Sequence, residues 1–215
     1  MNILALWEHA LDHINATARD PAALLAEWRS DHPSKWTDRE LLAEYGWVVG
    51  SCGLTPHVML KKWEALGGAF RGWNPAAVAE EPIAVRTAAL AVMKSPRKWD
   101  AVIAFAEDLA RHPGQMQRLA ARPLPEVLAW MRTLPWVGEN NCYHMARNLG
   151  WDCVVKTGPV VRLAAYLEMS AEDLCGRIAA ETGERVRTVD LGLWYWGHEV
   201  GDAAMKEMAS LFRLL

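Results

Sequence analysis

The residues best suited to chemistry lie between Arg122 and Ala164, around the apolar turn Leu134-Pro135-Trp136-Val137-Gly138. A helical pattern over about 124–133 leads into the turn. A second, from about Glu139 to Leu149, leaves it and stops at Gly150. Helix, turn and helix make a compact hairpin. Gly138 permits close backbone approach, and the free amides and positive end of the following helix point outward, which suits a phosphate. Arg132, Arg147, Lys156 and Arg162 outnumber Glu139 and Asp152, so the segment is locally positive. It reads either as a footprint for one DNA strand or as an ordinary helical hairpin packed in a bundle.

The chain as a whole does not share that sign. It has 215 residues, with 23 Lys and Arg against 26 Asp and Glu and a formal net charge of -3, which excludes coating nucleic acid through bulk charge. DNA binding must come from a local patch. Hydrophobic residues make up 52% and charged ones 23%, enough for a packed core in one domain or two small lobes. No apolar run approaches the ~18 residues of a membrane helix. The N-terminus has neither the basic start nor the cleavage site of a signal peptide, so a cytoplasmic or nucleoid-associated monomer is expected, with no membrane partner. Cys52, Cys142, Cys153 and Cys175 form no CxxC pair and read as buried free thiols rather than a zinc ribbon or cluster. Most of the twelve tryptophans should pack in the core, with a few left to stack on a base or line a pocket.

The elements that must position the hairpin are helices, punctuated by Pro and Gly. Thr37-Asp38-Arg39-Glu40 is a capping box, opening a helix through Leu41, Leu42, Tyr45 and Val48 that stops near Ser51-Cys52-Gly53. A second helix follows Thr55-Pro56 and ends at Gly67-Gly68. Others are expected at about 83–94 and 97–111, and after the cap Ser170. Arg185-Val186-Arg187-Thr188-Val189 alternates like a strand, but Leu191, Trp194 and Tyr195 fit a helix, and a helix from about 186 is favoured. The predicted fold class is all-α.

Leu134-Pro135-Trp136-Val137-Gly138 resembles the helix-hairpin-helix signature of the DNA glycosylase superfamily of endonuclease III. Several segments resemble 3-methyladenine DNA glycosylase I within it: Thr37 to Gly53, then Gly53-Leu54-Thr55 through Val58 to Trp63, Ala69-Phe70, Trp73-Asn74-Pro75, and Val137-Gly138 with Cys142-Tyr143 and Met145. Ser95-Pro96-Arg97-Lys98-Trp99 resembles the superfamily's middle helices. Val155-Lys156 through Val161-Arg162-Leu163-Ala164 resembles the segment that presents the catalytic aspartate. The likeness spans about 37–200. It implies two helical lobes, one of about 37–150 with the hairpin at about 124–150, the other of 1–36 and 151–215, with DNA across the cleft and a base flipped into a pocket. It implies phosphate and DNA contacts from Arg132, Trp136, Gly138, Asn140, Arg147 and Arg162, a wedge at Leu54 in the loop Ser51–Thr55, and pocket walls from Tyr45, Trp47 and Trp194. No cofactor and no iron–sulfur cluster are expected. The resemblance admits a structural monovalent cation on the turn carbonyls of Leu134 and Trp136.

The catalytic device departs from the family. The usual Asp stands about five residues before an Arg, and counting back from Arg162 gives Thr157, or Lys156 one position further. A carboxylate there would stabilise the positive sugar that develops as the base leaves. The lyase-type Lys is replaced by Asn140, the Glu of the first core helix aligns with Val48, and that enzyme's zinc ligands have no counterparts. Three readings follow. One is a glycosylase acting on a modified base, with Lys156 and Thr157 at the altered position and Asp152, Asp190 or Glu44 as the relocated carboxylate. Another is a base-modifying transferase of the kind that acts on pyrophosphorylated thymine in phage DNA, where Lys156 meets the leaving pyrophosphate. The last is a binder of damaged DNA without catalysis. His144, His198 and Glu199 are secondary candidates. Lys61-Lys62 and Arg97-Lys98 read as solvated or as contacts to flanking phosphates.

Overall fold

The computed structural model describes residues 2–54 and 56–214 and is helical throughout, with thirteen α-helices and no strand among the described residues. The chain divides into two compact units: His32–Leu149, and the residues up to Asp31 together with those from Gly150 onward. No helix among the described residues is long and apolar enough to cross a membrane.

The His32–Leu149 unit contains α3 (Asp38–Ser51), α4 (Pro56–Ala69), α5 (Pro75–Glu80), α6 (Pro82–Val92), α7 (Pro96–Arg111), α8 (Gln115–Ala120), α9 (Leu124–Met131) and α10 (Glu139–Asn148). The capping box at Thr37 and Glu40 forms, satisfying free amides at the start of α3 from both directions. Helices α3 and α7 pack together; α7 also carries α5 and α6, and α10 lies on α3 and α9. Gly46 and Gly50, one turn apart on α3, bring large neighbours close: a Cβ would stand 2.5 Å from the Trp73 ring at Gly46 and 2.3 Å from the Met59 methyl at Gly50. Phe70 and Trp63 stack on Trp73, Trp47 meets Trp63 edge-on, and Trp99 meets Phe70. Five of the aromatic side chains thus form one ladder whose offset and edge contacts suit the ring quadrupoles.

The other unit contains α1 (Ile3–Thr17), α2 (Pro21–Ser30), α11 (Pro159–Tyr166), α12 (Ala171–Thr182) and α13 (Val186–Leu214). Its core gathers Leu6, Trp7 and Ala10 of α1, Leu163 of α11, Leu174 and Ile178 of α12, and Val189, Leu193 and Trp196 of α13. Helix α13 is interrupted at Gly201, whose φ of 78° few other residues adopt cheaply. The strand-like alternation at 185–189 has a different cause. Arg187 donates to the Trp28 carbonyl at 2.6 Å and pairs with buried Asp31, Thr188 Oγ1 donates to the same carbonyl, and Arg185 donates to the Asp31 carbonyl. These polar side chains satisfy the last carbonyls of α2, where the helix dipole also favours cations.

Candidate nucleic-acid interface

The hairpin of α9, turn and α10 is held from inside its own unit. Tyr45, fully buried on α3, donates its hydroxyl to the Pro135 carbonyl at 3.0 Å. Asn141 Nδ2 donates to the Trp136 carbonyl at 3.1 Å, and the Cys52 thiol reaches the same oxygen at 3.8 Å. The Leu134 carbonyl accepts the Val137 N–H at 3.2 Å. Both oxygens suggested for a monovalent cation accept from protein donors. Tyr45 positions the turn rather than walling a base pocket: its ring lies in the core against Phe105, and burial raises its phenol above the usual range.

Gly138 caps α10 with φ −90° and ψ −170°, extended backbone open to any residue, and nothing stands within 4 Å of a Cβ built there. Neither conformation nor internal packing demands glycine, and no side chain caps the α10 amides. Asn140 is exposed beside it. Arg132 is exposed and bonded to Glu139 at 3.0 Å. Trp136 has a φ of 69° and is 44% exposed.

The loop after α3 lies against this turn. Leu54 is 39% exposed, and Thr55 lies outside the described residues. Lys98 Nζ donates to the carbonyls of Gly50 and Cys52 at 3.0 and 2.6 Å and stands 5.9 Å from the Trp136 ring centroid. Lys98 is thus a brace rather than a solvated charge, and burial lowers its amine below the usual lysine range. Lys62 likewise holds the Val92 carbonyl at the end of α6. Asn141, Cys52 and Lys98 are the site residues that the sequence pattern misses, because no local motif marks a side chain that braces one loop against another.

Arg147 does not join the exposed cations. It is 4% exposed and bonds Asn148 Oδ1 at 3.2 Å, while Asn148 Nδ2 donates to Glu44 at 2.8 Å. Removal from water pushes the Glu44 carboxyl up to about 8, partly offset by Asn148 and by the Arg147 charge. The same two influences, burial and Arg147, push His144 down to about 4.

The residues proposed for catalysis gather on one segment of the other unit. Asp152 accepts the Arg187 N–H at 2.7 Å, in the first turn of α13. Asp190, fully buried on α13, accepts the Val155 N–H at 3.3 Å. One turn further along α13, Trp194 is half-buried against Gly158, whose Cβ position lies 3.6 Å from the indole nitrogen, and its ring meets His198 edge-on. Lys156 and Thr157 lie on the intervening loop, Lys156 paired with Glu172 at 3.5 Å. Asp190, Trp194, Lys156 and Thr157 are therefore neighbours; Asp190 faces inward, whereas Asp152 is exposed and holds the Arg187 amide. Arg162 pairs with Asp202, which also accepts from Tyr166. Trp47 belongs to the aromatic ladder of the first unit. No group of three or more His, Cys, Asp or Glu among the described residues is placed to hold a metal ion.

No protein-family model, curated protein or solved structure matches the chain. The functional reading therefore rests on the residues and their geometry.

Proposed function

We propose that the chain binds DNA through the α9–α10 hairpin, turns a modified base out of the stack and hydrolyses its N-glycosidic bond, as helix-hairpin-helix glycosylases do. The observation that carries this reading is the hairpin itself. Its turn is pinned from behind by Tyr45, Asn141 and Cys52, while its outer side offers uncapped α10 amides, a glycine without an internal reason, and an exposed indole. That combination suits a phosphate at the amides and a sugar or base beside them.

The substrate class follows from the carboxylates. Positions 156 and 157 carry none, Asp152 is bound to an amide of α13, and Asp190 is buried on the Val155 amide. A base that is already cationic needs least help. The C–N bond breaks, its electron pair neutralises the departing base, and water adds to the sugar carbon and releases its proton to solvent. An alkylated base is therefore the proposed substrate. The same amide-bound carboxylates favour a second reading, a binder of damaged DNA that performs no chemistry.

The test is mass spectrometry after incubation with DNA pools carrying alkylated, oxidised, deaminated or hypermodified bases. Free base and matching abasic sites from the alkylated pool are expected. A mass change on the polymer with the sugar bond intact would replace hydrolysis by transfer. Tight binding without either product would leave the binder.

A further inference from the structure

Two tryptophans adopt the left-handed backbone region, and they differ in what surrounds them. Trp73, at φ 61°, is 7% exposed, with Phe70 and Trp63 on its faces and Gly46 beneath it. Burial of a large ring offsets its backbone strain. Trp136, at φ 69°, is 44% exposed. Its left-handed backbone is strained for a non-glycine residue, and its ring is covered far less completely than that of Trp73. A glycine would adopt that conformation freely. The hydrogen bonds that fix the turn use the Trp136 carbonyl and not its indole, so they do not require an aromatic side chain there.

The surroundings of the ring indicate what it meets. Lys98 Nζ stands 5.9 Å from its centroid, and exposed Leu54 is carried by the loop that Lys98 and Cys52 tie to this turn. Asn141 Nδ2 touches both Cys52 Sγ and the Trp136 carbonyl, at 3.5 and 3.1 Å, so the two loops are braced together. A half-exposed aromatic ring with a cation over it and uncapped helix amides two residues away fit a nucleotide whose base has lost its stacking partner.

We propose that Trp136 stacks on an unstacked DNA base, with Leu54 as the second apolar contact on the same braced pair of loops. This rests on the reading of the hairpin as a DNA-binding element and assigns its aromatic a recognition role that backbone phosphate contacts do not require. Single strands and duplexes interrupted by an abasic site should therefore bind more tightly than intact duplex.

The experiment uses the full chain and 2-aminopurine placed in a single strand, opposite an abasic site, and in intact duplex. Fluorescence quenching reads stacking and anisotropy reads affinity. The wild type should quench the first two probes. Trp136→Gly should melt at the same or a higher temperature, because the turn conformation is relieved, yet bind the interrupted duplex about tenfold more weakly with quenching lost. Trp136→Phe should keep binding within about threefold, because it keeps an aromatic face. Equal binding and quenching by Trp136→Gly would overturn the assignment while leaving a backbone-only DNA contact intact. A loss in Trp136→Phe as large as in Trp136→Gly would also overturn stacking. Absence of binding to every probe by the wild type would overturn the DNA-binding reading itself.

Discussion

The hairpin turn at 134–138 and the segment at 152–158 solve opposite problems. At the turn, polar side chains reach in from behind and leave the outer side open: Tyr45, Asn141 and Cys52 bond its carbonyls, while Gly138 and Trp136 face outward. At 152–158, the nearby carboxylates are engaged by backbone amides, exposed Asp152 by that of Arg187 and buried Asp190 of α13 by that of Val155. The lesson is that a binding surface and a catalytic group are held differently. A surface survives when its supports are buried, whereas a carboxylate bonded to buried amides is committed to the fold before any substrate arrives.

The largest effect expected concerns the inward-facing side. Arg187→Ala would strand Asp31 as a buried charge without its partner, and a loss of about 3–5 kcal/mol is expected in denaturant unfolding. Asp190→Ala leaves the buried Val155 amide without this acceptor, a loss of about 1–3 kcal/mol, which Asp190→Asn should largely restore through its carbonyl oxygen. An Asp190→Ala protein that melts like the wild type but releases no base would break the comparison, because Asp190 would then serve chemistry rather than the fold.

A pH effect sharpens the contrast within the hairpin's own unit. Glu44 titrates near 8 when folded against a reference of 4.5. The folded state therefore holds this proton more tightly than the unfolded state. Its contribution is full below pH 4.5 and is lost as pH rises through 8. His144 is shifted the other way, from 6.5 down to about 4, so its own contribution is present above 6.5 and lost as pH falls through 4. Between pH 7 and 8, where His144 changes little, thermal melts should fall with rising pH, and Glu44→Gln should flatten that slope. An unchanged slope would remove Glu44 as its source.

Much of the fold was legible because local rules and tertiary packing agree. The Thr37–Glu40 capping box, Ser170 as N-cap of α12, and the start of α13 near 186 all occur where side-chain chemistry marks them. Helices α1, α2 and α11 were not placed, and the short α5 and α8 escaped because six residues carry too little periodicity, although Asn74 caps α5 and Asp38 accepts the Gly114 and Met116 amides around the start of α8. At the candidate site, the hairpin followed from residue type and spacing, and Trp136 and Leu54 were singled out by the resemblance rather than by any local pattern. Burial followed from neither. Tyr45, Arg147 and Asp190 carry groups that suggest a surface role, and only the packing of α3, α10 and α13 decides that they lie inside. Lys98 reads from sequence as solvated or as a phosphate contact, because sequence shows a charge but not the two carbonyls it holds.

The measurement closest to the central claim is a DNA titration of Gly138→Asp beside the wild type, at low and moderate salt. Aspartate is a favoured N-cap, its Cβ meets nothing within 4 Å, and the backbone there is extended, so the variant should melt at the wild-type temperature or above. Its carboxylate would occupy the α10 amides and repel phosphate. Affinity lower by at least about tenfold at low salt, with a shallower salt dependence, is the outcome expected if those amides hold the DNA backbone. A stable Gly138→Asp protein that binds DNA as tightly as the wild type would contradict the assignment of the hairpin as the DNA interface.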